Sequence, residues 1–361
     1  MKKRLTATIL ATAMVLGLAA CGGNSTPQTT AAGASGTEVA DAKEKTDAAP
    51  ENKESSKEEK KFVIDLATSY AGDGPAGKAL EKFVEEVKEK SNGSIEISLF
   101  ADGTLGNPTD NYSSVASGDL DMTMSGLEGL DLYAPEYTFL DAPFLIKDHD
   151  HLKALLESGI GDKLKERYEE KGFVTLGWHY RDVRELASNK EVKTPADVKG
   201  LKLRLPGMTV YVDTWSALGV SSTTVAMSEL YTALQTNVAE ACEGGYEQMD
   251  TLKLYEVQKN IAETNHVYEF VGLFINKELY DSMSENQKEI LQSCASENLA
   301  YADQLAEESR ETYKKDCLDG GMNLVEIDAQ AFRDELTDYY KEQFESKWTV
   351  TDYDEVMSYA K

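Results

Sequence analysis

The spacing of apolar and polar positions changes several times along the chain, and each change marks an element. Phe62–Thr68 is a short apolar run and reads as a strand. Over residues 75–90, Leu80, Phe83, Val84 and Val87 recur at helical spacing, with Pro75 at the start and Asn92-Gly93 beyond the end. Ile95, Ile97 and Leu99 alternate with polar residues, and Leu120, Met122 and Met124 alternate again, which predicts two further strands. Phe173–Trp178 is another apolar strand. Thr194-Pro195-Ala196-Asp197 has the form of a cap followed by a first helical turn, closed at Gly200. Leu201, Leu203 and Leu205 then share one face of a strand, with Lys202 and Arg204 on the other. Val271–Ile275 is the last strong internal strand. Ser284-Glu285-Asn286-Gln287 reads as a capping box, from which a helix can run to about Leu318 and stop at Gly320-Gly321. At about 1.5 Å per residue such a helix spans roughly 50 Å, enough to pass across two domains. The alternation of strands and helices predicts an α/β architecture with a mixed or parallel sheet. No internal repeat is visible.

The first sixty residues follow different rules. Lys2, Lys3 and Arg4 precede an apolar stretch from Ile9 to Ala20, broken only by Thr12 and Gly17. A bilayer-spanning helix needs about 20 apolar residues, so this stretch is too short. Residues 1–20 read as a secretory signal peptide. Leu18-Ala19-Ala20-Cys21 resembles the bacterial lipobox, which implies that Cys21 becomes the lipidated first residue of the mature chain. Residues 22–60 contain one apolar β-branched residue, Val39, and no aromatic, so they cannot bury enough surface to offset their ordering entropy. They read as a tether with a mean reach of roughly 35 Å. The folded part is expected to begin near Phe62.

A length of 361 residues allows two domains, and 41% hydrophobic with 28% charged residues is an ordinary globular balance. The charge is not ordinary: 37 Lys+Arg against 64 Asp+Glu gives −27. No broad basic face fits that balance, which argues against nucleic acid as a partner. Acidity of this kind makes a soluble, self-repelling surface and does not by itself indicate a cationic ligand.

Few motifs carry chemistry on their own. Cys242, Cys294 and Cys317 match no zinc spacing and read as small buried residues, with at most one disulfide among them. His149-Asp150-His151 reads as a solvated loop in preference to a metal site. Gly72–Gly77 fits G-x-G-x-x-G between a strand and a helix. The strand ends several residues too early for a tight strand-to-helix turn, and the acidic residue expected after the second strand is not clearly placed. A glycine-rich loop ahead of a helix is therefore the expected reading, and a secreted enzyme built on this loop is the alternative. No nucleophile elbow, Walker A loop or H-E-x-x-H is present.

Residues 184–255 carry the recognisable pattern. Residues 200–207 are GLKLRLPG, 217–220 are ALGV, 226–237 are AMSELYTALQTN and 255–266 are YEVQKNIAETNH. With GDLDM at 118–122 and TPADVKG at 194–200, the chain from about residue 62 to 345 resembles the DctP-type solute-binding proteins of tripartite ATP-independent periplasmic (TRAP) transporters. The resemblance implies two α/β lobes around a ligand cleft, joined by strand crossovers, with one long helix crossing both. It implies lobe I from 62–181 plus 270–309, and lobe II from 182–269 plus 310–361. It implies capture of a small organic anion, docking on small and large membrane permease subunits, and neither catalysis nor a cofactor. A lipoprotein that presents its ligand to a sensor instead of a transporter stays open.

From the residues alone, Arg204 on an apolar strand is a structural or surface arginine, or one that clamps a carboxylate through two parallel hydrogen bonds. The resemblance favours the clamp, because the family's arginine occupies this place in K-x-R-x-P. Arg184, in the strand-like segment Val183–Ser188, matches a second family arginine, against the reading of a surface residue near Asp182 and Glu185; Arg181 is its neighbouring rival. Several positions depart from the sialic-acid-binding members. Gly244 replaces their ligand asparagine, Gly126 their acidic residue after the third strand, and Met227 and Met124 two phenylalanines of the cleft. Glu243 either accepts hydroxyls from a polyol or pairs with an arginine. Tyr70, Trp178 and Tyr246 could offer a ring face or hydroxyl to a sugar acid, or serve as packing. A uronate-type sugar acid is the first expectation for the ligand and a C4-dicarboxylate the second.

Overall fold

The structure is a computed structural model that describes residues 59–126 and 128–361. The expected signal peptide at 1–20, the expected lipidation of Cys21 and nearly all of the expected tether at 22–60 therefore lie outside the described residues. Nine strands form one sheet: β1 (Phe62–Thr68), β2 (Ile95–Phe100), β3 (Met122–Ser125), β4 (Phe173–Ser188), β5 (Lys202–Leu205), β6 (Ser221–Thr224), β7 (Ala241–Gly244), β8 (Asn260–Asn276) and β9 (Asn323–Val325). Their order is β2-β1-β3-β8-β4-β7-β5-β6, with β9 alongside β8. At one end β1 pairs in parallel with β2 and β3; at the other β5 pairs in parallel with β6 and β7. Between them β4 and β8 run antiparallel and join the two halves. These two strands have 16 and 17 residues. At about 3.3 Å per residue each is roughly 50 Å long, enough to serve both lobes of the fold.

The sequence pattern foresaw the apolar ends of these two strands, 173–178 and 271–275, and the strand-like segment Val183–Ser188, but not that 173–188 is one strand. Register shifts at Thr175/Gly177, Tyr180/Val183 and Arg184/Leu186 break the alternation of β4. Each bulge turns the next side chain to a new face and increases local twist. Arg181 and Asp182 therefore stand in the middle of a strand, between the two segments that the pattern reads separately.

The first lobe is built as its pattern predicts. Ile64 and Leu66 of β1, Ile95 and Ile97 of β2, and Leu80, Phe83 and Val87 of helix Pro75–Lys90 share one core with Leu291, Ala295 and Leu299 of the long helix. That helix runs Glu285–Asp319, and its capping box forms: Ser284 Oγ accepts from Gln287 N, and Gln287 Oε1 accepts from Ser284 N at 3.2 Å. It packs against helix Pro75–Lys90, β4 and the short helix Tyr246–Thr251, so it touches both halves. The expected lobe boundaries fall inside β4 and β8. Phe139, Phe144 and their neighbours also share a core with Trp215, Phe332, Phe344 and Trp348, so 137–146 packs with residues assigned to the other lobe.

One smaller reading changes and another holds. His149 and His151 open a helix, His149–Leu156, capped by Asp148, and do not sit in a solvated loop. His151 is buried, accepting from Lys147 N and donating from Nε2 to Val356 O at 2.9 Å. Cys242, Cys294 and Cys317 are buried and unpaired. Among the described residues no helix is long and apolar enough to cross a membrane.

The glycine-rich motif is a turn feeding a helix. Gly74 donates to Ala71 O at 3.1 Å and is the N-cap of helix Pro75–Lys90. A Cβ on Gly77 would lie 2.3 Å from Gly72 O and 2.4 Å from Ala71 O. Alanine would gain about 1 kcal/mol of helix propensity there. The collision is with rigid backbone, for which overpacking costs typically about 1–3 kcal/mol. Gly77→Ala is thus expected to lower stability in urea unfolding; an unchanged or raised midpoint would show that the loop yields freely.

Candidate functional site

β5 puts Leu203 and Leu205 into the core and Arg204 on the opposite face, at the end of the strand. Arg204 is nevertheless only 3% exposed. Its Nε donates to Val225 O at 2.9 Å, and its Nη1 is buried without a partner. Among the described residues no carboxylate forms an ion pair with it. Burial pushes the guanidinium below its ordinary value, partly opposed by the charge of Glu243. A buried cation without a paired anion is costly, and a planar fork at that position suits a carboxylate brought from outside.

Arg184 is in the opposite situation. Its Nε and Nη2 donate to the two oxygens of Glu243 at 2.5 and 2.7 Å, and its Nη1 donates to Glu269 at 2.6 Å. Glu243 Oε2 also accepts from His266 Nε2 at 3.1 Å, while His266 Nδ1 faces Thr264 Oγ1 at 2.7 Å. Burial alone would raise the Glu243 carboxyl, but the Arg184 charge together with the hydrogen bonds from Arg184 and His266 outweighs it and lowers it to about 2. Burial and the Arg184 and Arg181 charges likewise oppose each other at Glu269, which ends below its ordinary value. Arg181 is bound on both sides, to Glu269 at 3.0 Å and Glu247 at 2.9 Å, and lies 5.0 Å over the Tyr70 ring.

A cleft of about 440 Å³ opens over these groups. Of the residues singled out in the sequence, Arg204, Arg184, Arg181, Met227, Tyr70 and Gly126 line it. Four do not. Glu243 is fully buried behind Arg184, so of its two readings the arginine pair is the one found. Met124 is fully buried in the core under β1 and β3, contrary to the expectation that it faces the cleft. Tyr246 is buried, donates to Glu263 at 2.8 Å and lies under Arg310. Gly244 stands one residue off the cleft wall, where Gly245 lines it. A Cβ on Gly245 would fall 1.8 Å from Asp182 Oδ2, so close approach of this loop to β4 requires glycine. Trp178 packs edge-on against Phe270 and Phe274.

The cleft also holds acids that the sequence did not single out: Glu128, Glu247 and Glu269, with Gln248 beside them. Burial raises the Glu128 carboxyl above its ordinary value. The one available signal was Glu269, the single charge in the apolar run 267–275 of β8. Arg181 and Arg184 are thus neutralised by protein carboxylates, whereas Arg204 is not. Among the described residues no group of three metal-ligating side chains comes together.

A two-lobed α/β fold with a charged cleft between its lobes defines a ligand-capturing receptor. Residues 66–347 match the family described as "Bacterial extracellular solute-binding protein, family 7" (DctP), and the chain belongs to it. These are solute-binding receptors of TRAP transporters. The chain is 31% identical over 268 residues to the 2,3-diketo-L-gulonate-binding periplasmic protein YiaO of Escherichia coli K12, covering 74% of this chain and 82% of that protein. A solved TRAP solute-binding protein from Fusobacterium nucleatum with bound sn-glycerol-3-phosphate has 30% identity and a TM-score of 0.72, over 82% of this chain and 96% of its own. Another, from Roseobacter denitrificans with bound L-galactonate, has 28% identity and a TM-score of 0.69, over 79% and 95%.

Proposed function

We propose that this protein is the extracytoplasmic receptor of a TRAP transporter for a small, hydroxylated monocarboxylate such as a uronate or aldonate. The observation that carries the reading is Arg204, a buried guanidinium with a free Nη1 and no protein anion. The ligand carboxylate supplies the missing charge, and closure of the lobes about β4 and β8 shields the pair from water. Cys21 holds the protein to the membrane surface, where it hands the ligand to the permease subunits.

The C4-dicarboxylate reading is weaker on the same geometry. A second carboxylate needs a second cation, and Arg184 and Arg181 already hold three carboxylates between them. Glu128, Glu247 and Glu269 repel an anion but accept hydrogen bonds from hydroxyls. Relatives that bind 2,3-diketo-L-gulonate and L-galactonate carry such hydroxylated acids.

A thermal-shift panel tests the reading. It would cover uronates, aldonates, succinate and neutral sugars. A ligand at about 100 times its Kd adds about 2.7 kcal/mol to stability, a shift of a few degrees for a chain of this size. Uronates or aldonates are expected to give the largest shifts. Larger shifts with succinate would reverse the preference, and shifts with neutral sugars alone would remove the carboxylate clamp.

A further inference from the structure

Among the described residues, two charges that line the cleft meet no counter-ion. One is Arg204; the other is Glu128. Glu247 and Glu269 are each held by an arginine, whereas no cation forms an ion pair with Glu128. Glu128 is half-buried, and burial raises its carboxyl above the ordinary value. Its own backbone N–H and the more distant Arg181 and Arg184 charges offset that only in part.

The two unpaired charges belong to different sides of the cleft. Glu128 opens the short helix Glu128–Tyr133 that follows β3, and Arg204 lies on β5; β8, β4 and β7 separate those strands in the sheet. The Glu128 carboxylate faces the opening at Gly126. A Cβ on Gly126 would lie 2.8 Å from Tyr70 Oη and 3.6 Å from Glu128 Oε2, with a Val271 methyl at 3.3 Å. All four residues line the cleft. Gly126 thus keeps open a space edged by two oxygens that can accept hydrogen bonds.

The neighbouring arginines do not serve that space. Arg181 lies 5.0 Å over the Tyr70 ring, but it donates to Glu247 and Glu269. Arg184 donates to Glu243 and Glu269. These two guanidiniums therefore stand among three carboxylates. Arg310 stands between Asp182 and Glu185, one guanidinium for two carboxylates. Each cluster already carries one negative charge more than positive before Glu128 is counted.

A ligand with a carboxylate alone satisfies Arg204 and leaves this surplus in place. A ligand that also carries an ammonium satisfies Glu128 as well. An ammonium has three donors, no acceptor and the opposite charge; a hydroxyl brings one hydrogen and no charge; a second carboxylate brings neither. We propose that the ligand is a zwitterion, a hydroxylated acid whose carboxylate goes to Arg204 and whose far end carries an amine that goes to Glu128 and Tyr70. This rests on the reading of the cleft as a carboxylate receptor and narrows it from hydroxylated acids to those with an amine at the far end.

Calorimetric titration with three acids of one backbone tests this. L-galactonate ends in a hydroxymethyl, 6-amino-6-deoxy-L-galactonate in an ammonium and galactarate in a carboxylate. The ammonium is charged at pH 7, like that of lysine. The amino derivative is expected to bind about tenfold tighter than L-galactonate, the difference between a charge-assisted and a neutral hydrogen bond, and galactarate is expected to bind weakest. In Glu128→Gln the preference for the amine should fall below about twofold, and in Glu128→Asp, which keeps the charge, it should partly return. L-galactonate binding as tightly as its amino derivative to the wild-type protein overturns the zwitterion with no variant needed, and Glu128 is then an acceptor for hydroxyls alone. A preference for the amine that survives Glu128→Gln overturns it as well, because the amine then sits elsewhere. If none of the three binds, or if binding survives Arg204→Ala, the receptor reading itself fails and the zwitterion falls with it; loss of the preference for the amine alone leaves that reading intact.

Discussion

Arg204→Ala is expected to weaken carboxylate binding by two to three orders of magnitude or more. Removing one partner of a buried charge pair typically costs about 3–5 kcal/mol, and each 1.4 kcal/mol is a factor of ten. Arg204→Lys should fall between, because an ammonium keeps the charge but not the two-pronged geometry. The empty protein should respond in the opposite direction. The Arg204 guanidinium is desolvated, and only one of its nitrogens is recorded with a partner, Val225 O. Arg204→Met removes the buried charge and keeps most of the volume, so the unliganded protein should be as stable as wild type or more so. Calorimetric titration and urea unfolding without ligand measure the two arms. A variant that keeps its affinity, or one that loses stability only when empty, would make Arg204 a structural residue and sink the clamp.

That trade separates Arg204 from the arginines around it and shows what the chain did and did not reveal as a sequence. Strand β1, helix 75–90 and the Ser284 capping box were legible because each is one unbroken period with clear punctuation. Arg204 was singled out because K-x-R-x-P resembles the family's pattern; on the strand itself it shares a face with Lys202 and reads equally as a surface charge. The middles of β4 and β8 were not. Their bulges break the alternation, and their charges are buried in pairs that close over long separations, such as Arg184 with Glu243 across 59 residues. No local pattern records a partner so far along the chain. Met124 was misplaced for a different reason: all four residues of β3 are buried, so both faces of the strand are covered and alternation cannot tell core from cleft. Glu128 and Glu247 resemble any surface glutamate until the fold brings them to one opening.

The pair behind the cleft should dominate the acid response of the protein. Glu243 is fully buried and holds Arg184 with both oxygens, while His266 donates to it. Its carboxyl is lowered to about 2 from an ordinary 4.5. At 1.36 kcal/mol per unit, this linkage is worth roughly 3 kcal/mol. Because the folded value is the lower one, that stability is fully present above about pH 4.5 and is lost as the pH falls toward 2. Glu269 is shifted in the same direction by Arg184 and Arg181 against the effect of burial, and adds to the same window. Glu243→Gln leaves Arg184 with a single carboxylate and is expected to destabilise the protein by about 3–5 kcal/mol at pH 7. The variant no longer has a carboxylate to protonate at this position. Its stability should therefore fall less steeply between pH 5 and 2, and the gap to wild type should narrow across that window. Urea unfolding at a series of pH values measures both curves. Parallel curves would mean that Glu243 is not the group whose protonation governs acid unfolding, and the cleft's rigid backing would then rest on Glu269 alone.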